Sequence, residues 1–428
     1  MGNRERRWMW RCIVVTSAVV ALAWPAAYGQ DSAASVKKAE GYIAQGNLKA
    51  AEIELRNAIR DAPQDPVLHA RLADVYLQLG DAVAAEREAR AAHASNGDEV
   101  DFVPVLANAL LAQGKFADLT TLVQPGHRDP VLEGKVRTAL GTAAARRGDR
   151  AKAETLLREA IGLDPNAAGP KIQLAWLLTG TKPTEADQLI DEAIAANPRS
   201  AEALQLKGEM LRNRGDQERA TRLFDEALKI DPRNVSAHLS RAAVNITLGK
   251  YQAADEDIDP ILSASPNQFG ANYLRGLELA KQRNFAEADR ILDRISPGFT
   301  ALWAGYYLQG RTKIALGQYA QAEASLRKYL AHVPNDMIAA RASAVAALQQ
   351  NAAPRAIAYL KPLAEKMPAD AATSAVLGTA YMADGKPDLA LQQFQKSCRC
   401  RSRQPNYQDR ARHLGIRCRS RPAGPRGP

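Results

Sequence analysis

The sequence predicts an all-α fold, a solenoid of about eleven helix-turn-helix repeats that fills most of the 428 residues. Three observations carry this prediction. A period of 34 residues recurs along the chain, small and large apolar residues return at fixed places within it, and the residues between the two basic ends contain no cysteine. Because each helix pair in such an array buries apolar surface only against its neighbours, we expect one elongated core instead of separate globular domains.

The repeat is clearest in the segment that begins at Ala201, which we count as position 1. Gly208 at position 8 and Ala220 at position 20 are small enough to let the two helices of a pair approach closely. Large apolar residues, Leu211 at position 11 and Phe224 at position 24, are expected to fill the seam around that contact. The spacing therefore predicts a tightly packed helical hairpin.

Position 15 ends the first helix of each repeat, and position 32 ends the second. Gly215 at position 15 supplies the positive φ that ends a first helix, and Pro232 at position 32 cannot continue a second helix. The same frame recurs along the chain, although the repeat at Val100 loses its pattern near Pro125 and the repeat at Ala168 is about one residue short. The eleven repeats begin at Ser32, Pro66, Val100, Gly134, Ala168, Ala201, Val235, Phe269, Trp303, Met337 and Ala371.

The first 29 residues have the three parts of a secretory signal peptide. A basic stretch from Arg4 to Arg11 precedes an apolar run from Cys12 to Ala23, which is too short to cross a bilayer as a helix. Small residues at Ala27 and Gly29 suit cleavage before Gln30. We therefore expect an exported protein, with residues 30–396 forming the repeat body and no stable transmembrane span in the mature chain.

Residues 397–428 differ in composition from the repeats, with nine arginines against the single acid Asp409. Cysteine, proline and glycine rise together there, and the period stops inside a helix. The favoured interpretation is a shifted reading frame or a truncated gene. A disordered basic extension and a nucleic-acid-binding tail are the alternatives. The body between the two basic ends is nearly neutral, so nucleic acid is not an expected partner of the repeats.

Catalytic and cofactor motifs are absent from the sequence, so we expect no enzyme activity, no cofactor and no metal. The six histidines are scattered, and the glycines fall at the repeat positions that folding explains. Asp255, Glu256 and Asp257 could serve as acid and base, but a charged outer helix face is favoured. Trp176 and Trp303 could stack on sugars, but packing at the seam is favoured.

Over residues 32–396 the repeats resemble the tetratricopeptide repeat family. The resemblance implies a right-handed superhelix whose first helices line a concave groove through positions 2, 5, 9, 12 and 13. The side chains at these positions are polar, aromatic or cationic, which suits an extended peptide or a polysaccharide. For any one of these residues, the alternative is an ordinary solvated side chain or one that packs between repeats. The candidate partner-binding residues are Glu202, Gln205, Glu209, Arg212, Asn213, Tyr273, Lys281, Tyr307, Arg311, Arg341 and Gln349.

A narrower resemblance rests on VPVLANALLAQGKF (103–116), NYLRGLELAKQRNFAEA (272–288) and LRKYLAHVP (326–334). These stretches are similar to the tetratricopeptide proteins of PEP-CTERM/exosortase systems, the PrsT family of Gram-negative bacteria. The resemblance implies a periplasmic adaptor for PEP-CTERM protein sorting and exopolysaccharide production that binds extended chains in its groove. A structural bridge in a cellulose- or alginate-like export channel is the alternative. An enzyme such as a glycosyltransferase would need a non-repeat domain that the chain lacks before residue 397.

Overall fold

The computed structural model describes residues 30–126, 128–366 and 370–401 of the chain. Within these residues it contains 22 α-helices, one short 3₁₀ helix and no β-strand, which confirms the predicted all-α repeat fold. The helices alternate as the first and second members of eleven pairs. The predicted signal peptide and the tail beyond residue 401 lie outside the described residues.

The chain divides into two compact units, one ending at Gly215 and the other beginning at Asp216. In the first unit α1, α3, α5, α7 and α9 each pack on the second helix that follows them, and the first helices from α3 to α11 contact one another in succession. The helices of this unit are α1 (Gln30–Ala44), α2 (Leu48–Asp61), α3 (Pro66–Leu79), α4 (Ala82–Ala94), α5 (Glu99–Ala112), α6 (Phe116–Leu122), α7 (Pro130–Arg146), α8 (Arg150–Leu163), α9 (Ala168–Leu178), α10 (Pro183–Ala196) and α11 (Ala201–Asn213).

The second unit continues the same alternation, with a 3₁₀ helix at Ser296–Thr300 inserted before one of its first helices. Its last helix extends five residues beyond residue 396, the predicted end of the repeat body. The helices of this unit are α12 (Gln217–Ile230), α13 (Val235–Thr247), α14 (Tyr251–Ala264), α15 (Phe269–Lys281), α16 (Phe285–Ile295), α17 (Ala304–Ala315), α18 (Tyr319–His332), α19 (Met337–Leu348), α20 (Ala353–Lys366), α21 (Ala371–Ala383) and α22 (Pro387–Arg401).

Close approach of the paired helices explains the small residue at position 8. A Cβ atom at Gly310 would lie 2.6 Å from Cγ of Leu326, which occupies position 24 of the same repeat. A Cβ atom at Gly141 would meet Leu157 at 2.9 Å in the same way. Both leucines are fully buried. The glycines therefore let these leucines fill the seam, as the repeat frame predicts.

Position 15 adopts the left-handed conformation in ten of the eleven repeats. Glycine occupies it eight times, and Arg283 (φ 66°) and Asn351 (φ 56°) occupy it in the other two. The exception is the repeat that begins at Ala168, where α9 ends at Leu178 and α10 begins at Pro183. The backbone of the repeat thus requires a positive φ at this point even where the sequence supplies a residue with a side chain.

Two of the sequence interpretations are wrong for individual residues. Asp257 is 1% exposed rather than on a charged outer face, because Arg241 and His238 pair with it on the inner side of α14. Trp176 and Trp303 are 47% and 42% exposed rather than packed in the seam. The Arg146 guanidinium lies over the Trp176 ring, 5.6 Å from its centroid. Both indoles therefore present surface to solvent.

None of the helices in the described residues is both long enough and apolar enough to span a membrane.

Candidate binding groove in the first unit

A groove of about 560 Å³ lies between the first helices of four successive repeats of the first unit. α5 contacts α7, α7 contacts α9, and α9 contacts α11, so these helices form a continuous surface. The residues that line the groove are Pro104, Ala107, Asn108, Leu111, Val131, Gly134, Lys135, Val136, Thr138, Ala139, Thr142, Ala160, Asp164, Ala167, Gly169, Pro170, Gln173 and Glu202.

Small and aliphatic residues give the groove its depth. Gly134 packs against the end of α8, where a Cβ atom added to the glycine would lie 3.6 Å from the carbonyl oxygen of Ala160. Gly169 has open space where a Cβ atom would be. Val131 is half exposed at the edge. The lining contains no aromatic ring, so its apolar surface suits short aliphatic side chains better than flat sugar rings.

Hydroxyl groups on α7 present acceptors to the groove. Thr138 donates its hydroxyl proton to the carbonyl oxygen of Gly134 at 2.7 Å, and Thr142 donates to the carbonyl oxygen of Thr138 at 2.8 Å. Each hydroxyl oxygen keeps lone pairs for an incoming N–H donor. Lys135 is exposed on the same face and forms no ion pair with any residue in the described ranges.

At the far side of the groove, Gln173 donates from Nε2 to Oε1 of Glu202 at 2.9 Å. Glu202 is exposed at the edge of the groove, and partial desolvation by the surrounding helices raises the pKa of its carboxyl group. The amide of Asn108 lies on α5 across from them. The groove thus combines an aliphatic floor with amide, hydroxyl and carboxyl groups, which can hydrogen-bond an extended backbone.

Of the five candidates on α11, the groove lining includes Glu202 alone. Gln205 and Glu209 lie further along the helix and are joined by a hydrogen bond of 2.9 Å from Gln205 Nε2 to Glu209 Oε1. Arg212 is half-buried, and Asn213 is the exposed last residue of α11. These four side chains extend the polar surface of α11 beyond the groove.

In the second unit, Tyr307 and Arg311 lie one turn apart on α17. The Arg311 guanidinium is 5.7 Å from the Tyr307 ring centroid, and the Tyr307 ring is 5.2 Å from that of Tyr329. Trp303, one turn before Tyr307, also contacts Tyr329, at 5.8 Å. The two candidates therefore belong to an aromatic cluster that continues to an exposed indole.

Tyr273 lies in the second turn of α15, and Lys281 lies at its C-terminal end. Tyr273 packs against two apolar clusters of the second unit, and this burial raises the pKa of its phenol. Lys281 is the exposed last residue of the helix. The structure thus makes Tyr273 largely a packing residue and leaves Lys281 in solvent.

The remaining candidates are Arg341, in the second turn of α19, and Gln349, the residue that follows the helix. The Arg341 guanidinium binds Asp370 at 2.5 Å and Thr373 at 3.3 Å, which are the residues that begin α21. Gln349 is exposed at the end of α19. Arg341 therefore joins two successive repeats, which matches the inter-repeat packing alternative.

The candidates chosen from the sequence omit most of the residues that line the groove, although the repeat positions could have identified some of them. Counting from Gly134, Lys135, Thr138 and Thr142 occupy positions 2, 5 and 9, the same positions that selected Glu202, Gln205 and Glu209. The depth of the surface at α5, α7 and α9 depends on small residues facing one another across helices, which the repeat frame does not reveal. The described residues contain no group of three or more metal-ligating side chains placed to hold a metal ion.

Family models described as tetratricopeptide repeat match four segments, at residues 66–91, 135–159, 177–235 and 307–371. The chain carries tetratricopeptide repeats. These segments cover first and second helices in both units, including α7, α11 and α17 of the candidate surfaces.

A curated relative of this repeat chain is the cellulose synthase operon protein C of Xanthomonas axonopodis pv. citri, 27% identical over 197 residues. The match covers 43% of this chain and 13% of the relative, so the chain spans a small part of that protein's length.

Two solved structures are similar to parts of this chain. Pseudomonas aeruginosa pilF is 22% identical, with 48% of this chain and 93% of that chain covered and a TM-score of 0.40. A tetratricopeptide repeat protein from Parabacteroides merdae is 17% identical, with 74% and 99% covered and a TM-score of 0.41.

Proposed function

We propose that this repeat protein is a non-enzymatic scaffold that holds an extended polypeptide in the groove formed by α5, α7, α9 and α11. The observation that carries the proposal is the lining of this groove, an aliphatic floor bordered by Asn108, Thr138, Thr142 and Gln173. Neutral amides and hydroxyls hydrogen-bond a peptide backbone, while shallow apolar pockets accept small side chains.

We further propose that the scaffold works in the periplasm of a Gram-negative bacterium, in PEP-CTERM protein sorting and exopolysaccharide production. Support comes from the signal-like leader and from the stretches that resemble the PrsT family. Deleting the gene should leave PEP-CTERM proteins of the host incompletely processed or absent from the cell surface. Normal processing and normal polysaccharide output in the deletion strain would contradict this role.

A peptide array tests the groove directly. The full chain is applied to overlapping peptides that tile the exported proteins encoded near its gene, and a Thr138→Trp variant serves as the blocked groove. We expect binding to discrete peptides and at least a tenfold loss in the variant. The matched control is Thr155→Trp, because Thr155 is an exposed threonine on α8 outside the lining. Equal binding by both variants would remove the groove as the site.

A structural role in a cellulose- or alginate-like export channel is the second candidate. The partial match to a cellulose synthase operon protein supports it. In that case the groove should bind a cello-oligosaccharide or an alginate oligomer in calorimetry, with the same loss in Thr138→Trp. Oligosaccharide binding without peptide binding would favour the channel over the sorting scaffold.

A further inference from the structure

An exposed tryptophan lies beside the groove. Trp176 is on α9, one turn beyond the lining residue Gln173, and 47% of its surface is open to solvent. Among the large apolar side chains that are exposed in the described part of the first unit, it is the one aromatic ring. Tryptophan is well buried in most proteins, and rings that stay in water next to a concave surface are typical of binding sites.

Arg146 lies beside the indole, on the neighbouring helix α7. It is one turn beyond Thr142, which also lines the groove. The Cζ atom of Arg146 is 5.6 Å from the centroid of the Trp176 ring, within the range of a cation–π contact. Because residues three or four apart share a helix face, this pair continues the groove surface by one turn of each helix. The repeat frame agrees, since Arg146 and Trp176 occupy positions 13 and 9, two of the positions expected to face the groove.

The guanidinium of Arg146 keeps its charge available for a ligand. Arg146 is exposed and forms no ion pair with any acid in the described residues. By contrast, Arg137 of the same helix binds both Glu133 and Glu159. Contact with the indole limits the freedom of the Arg146 side chain, so less freedom is lost when it binds. A planar cation held on a ring in this way is complementary to a carboxylate.

The distance between the cation and the ring sets the spacing of the groups that can reach both. In an extended chain the side chains of residues i and i+2 lie on the same side, about 6.7 Å apart, whereas residue i+1 points to the opposite side. The separation of 5.6 Å between Arg146 and Trp176 is close to the i, i+2 spacing. An acidic residue and an aromatic residue with one residue between them can therefore contact the pair together.

We propose that Trp176 and Arg146 form a specificity subsite at the edge of the groove, which selects segments with an acidic residue two positions away from an aromatic one. The carboxylate binds the Arg146 guanidinium, and the aromatic ring packs on the exposed part of the indole. The inference rests on the proposed function, because an extended polypeptide in the groove brings these side chains to the subsite. The neutral lining hydrogen-bonds any backbone, so selection falls to this pair.

Fluorescence anisotropy with the full chain and labelled thirteen-residue peptides tests the proposal. The probe has a central phenylalanine with a glutamate two positions before it and another two positions after it, flanked by alanine, valine and serine. One counterpart has glutamine in place of both glutamates, and the other has serine in place of phenylalanine. We expect the probe to bind roughly fivefold more tightly than either counterpart.

Two variants assign each preference to one side chain. In Arg146→Gln the preference for glutamate over glutamine should disappear, while the preference for phenylalanine over serine remains. In Trp176→Ala the preference for phenylalanine should disappear. The matched controls are Arg147→Gln, at the next and equally exposed arginine, and Trp303→Ala, at an exposed indole of the second unit. Both controls should keep both preferences.

Tryptophan emission reports contact with the indole directly. The probe should shift the emission to shorter wavelength, because the ring of Trp176 leaves water. The shift should persist in Trp303→Phe and be lost in Trp176→Phe. A shift that persists in Trp176→Phe would contradict the subsite.

Thr138→Trp separates the groove from the subsite. Because it blocks the groove that holds the backbone, it should weaken all three peptides. Binding that survives Thr138→Trp, with preferences that still depend on Arg146 and Trp176, would remove the groove as the site and keep the subsite. Equal binding of the three peptides, or no binding of the probe, would overturn the subsite even where array peptides are lost in Thr138→Trp. An alginate oligomer or cello-oligosaccharide that is lost in Trp176→Ala, while the peptides show no preference, would overturn it in favour of a sugar site.

Discussion

His238 lies with its Nδ1 2.6 Å from Oδ1 of Asp257 and its Nε2 3.0 Å from the carbonyl oxygen of Pro232. Both neighbours are acceptors, so only the protonated imidazole can donate to the two of them. The hydrogen bond to Asp257 is the main reason that the pKa of His238 is raised. This contact joins Pro232, at the end of one repeat, to the first helix of the next.

The raised pKa makes part of the stability of the second unit depend on pH. A raised pKa in the folded state gives stability that is complete below the unfolded value of about 6.5 and is lost as the pH rises through the folded value. In His238→Asn, we expect the free energies of urea unfolding at pH 5.5 and pH 8.5 to differ by less than they do in the unaltered chain. Asparagine is the matched replacement, because Asn272 makes the corresponding bond to the carbonyl oxygen of Pro266 at 2.9 Å. An unchanged pH dependence would contradict the assignment.

Glu278 is the second pH-sensitive group of this unit. It is 1% exposed, and burial is the main cause that raises its pKa to about 7, while its bond of 2.8 Å to Arg275 acts in the opposite direction. Because the folded pKa lies above the unfolded one, stability should fall as the pH rises through 7, by roughly 1–3 kcal/mol between pH 5 and pH 8.5. Glu278→Gln should remove most of that fall in denaturant titrations. A fall of the same size in the variant would show that other groups cause it.

Arg283 holds a left-handed conformation that glycine adopts without strain. Arg283→Gly should raise the free energy of unfolding by roughly 0.5–1 kcal/mol, because the steric cost of a Cβ atom at φ 66° disappears. Asn351→Gly is the matched comparison at the same repeat position and should gain less, since asparagine tolerates this conformation better than arginine. Destabilisation by Arg283→Gly in thermal or urea unfolding would argue against strain at this position.

Gly310 should not tolerate a side chain. Gly310→Val would drive a methyl group into Leu326 and the carbonyl oxygen of Ala322, and we expect a loss of roughly 1–3 kcal/mol. Gly162→Ala is the control, because nothing lies within 4 Å of the added Cβ atom on α8, and alanine there should stabilise the helix by roughly 0.5–1 kcal/mol. If both substitutions changed the free energy of unfolding in the same direction, the close-packing account of position 8 would be wrong.

The repeat frame predicted what depends on local backbone geometry and on contacts within a pair. Gly141, Gly310 and the position 15 glycines follow it because the helical hairpin imposes the same distances in each repeat. The repeat pattern fades near Pro125, and α6 ends at Leu122, shortly before that point. These features need only the sequence of one repeat and its period.

What the frame could not predict depends on which side chains meet across repeats. Asp257 belongs to a run of acids that reads as a solvated face, yet His238 and Arg241 of the preceding helix draw it inside. Arg341 was selected as a groove residue, but Asp370 and Thr373 at the start of α21 bind it. The groove itself arises where small residues of α7 and α9 face one another. A periodic sequence pattern does not specify which side chains of different helices pair with one another.

The most direct test of the groove is photo-crosslinking in the native host. The full chain is expressed with benzoylphenylalanine at Thr138, inside the groove, or at Thr155, on the exposed side of α8 in the same repeat. After irradiation, the adducts are identified by mass spectrometry. The scaffold proposal predicts a polypeptide crosslinked at Thr138 through one defined segment and no such adduct at Thr155. No adduct at Thr138, or the same adducts at both positions, would contradict it.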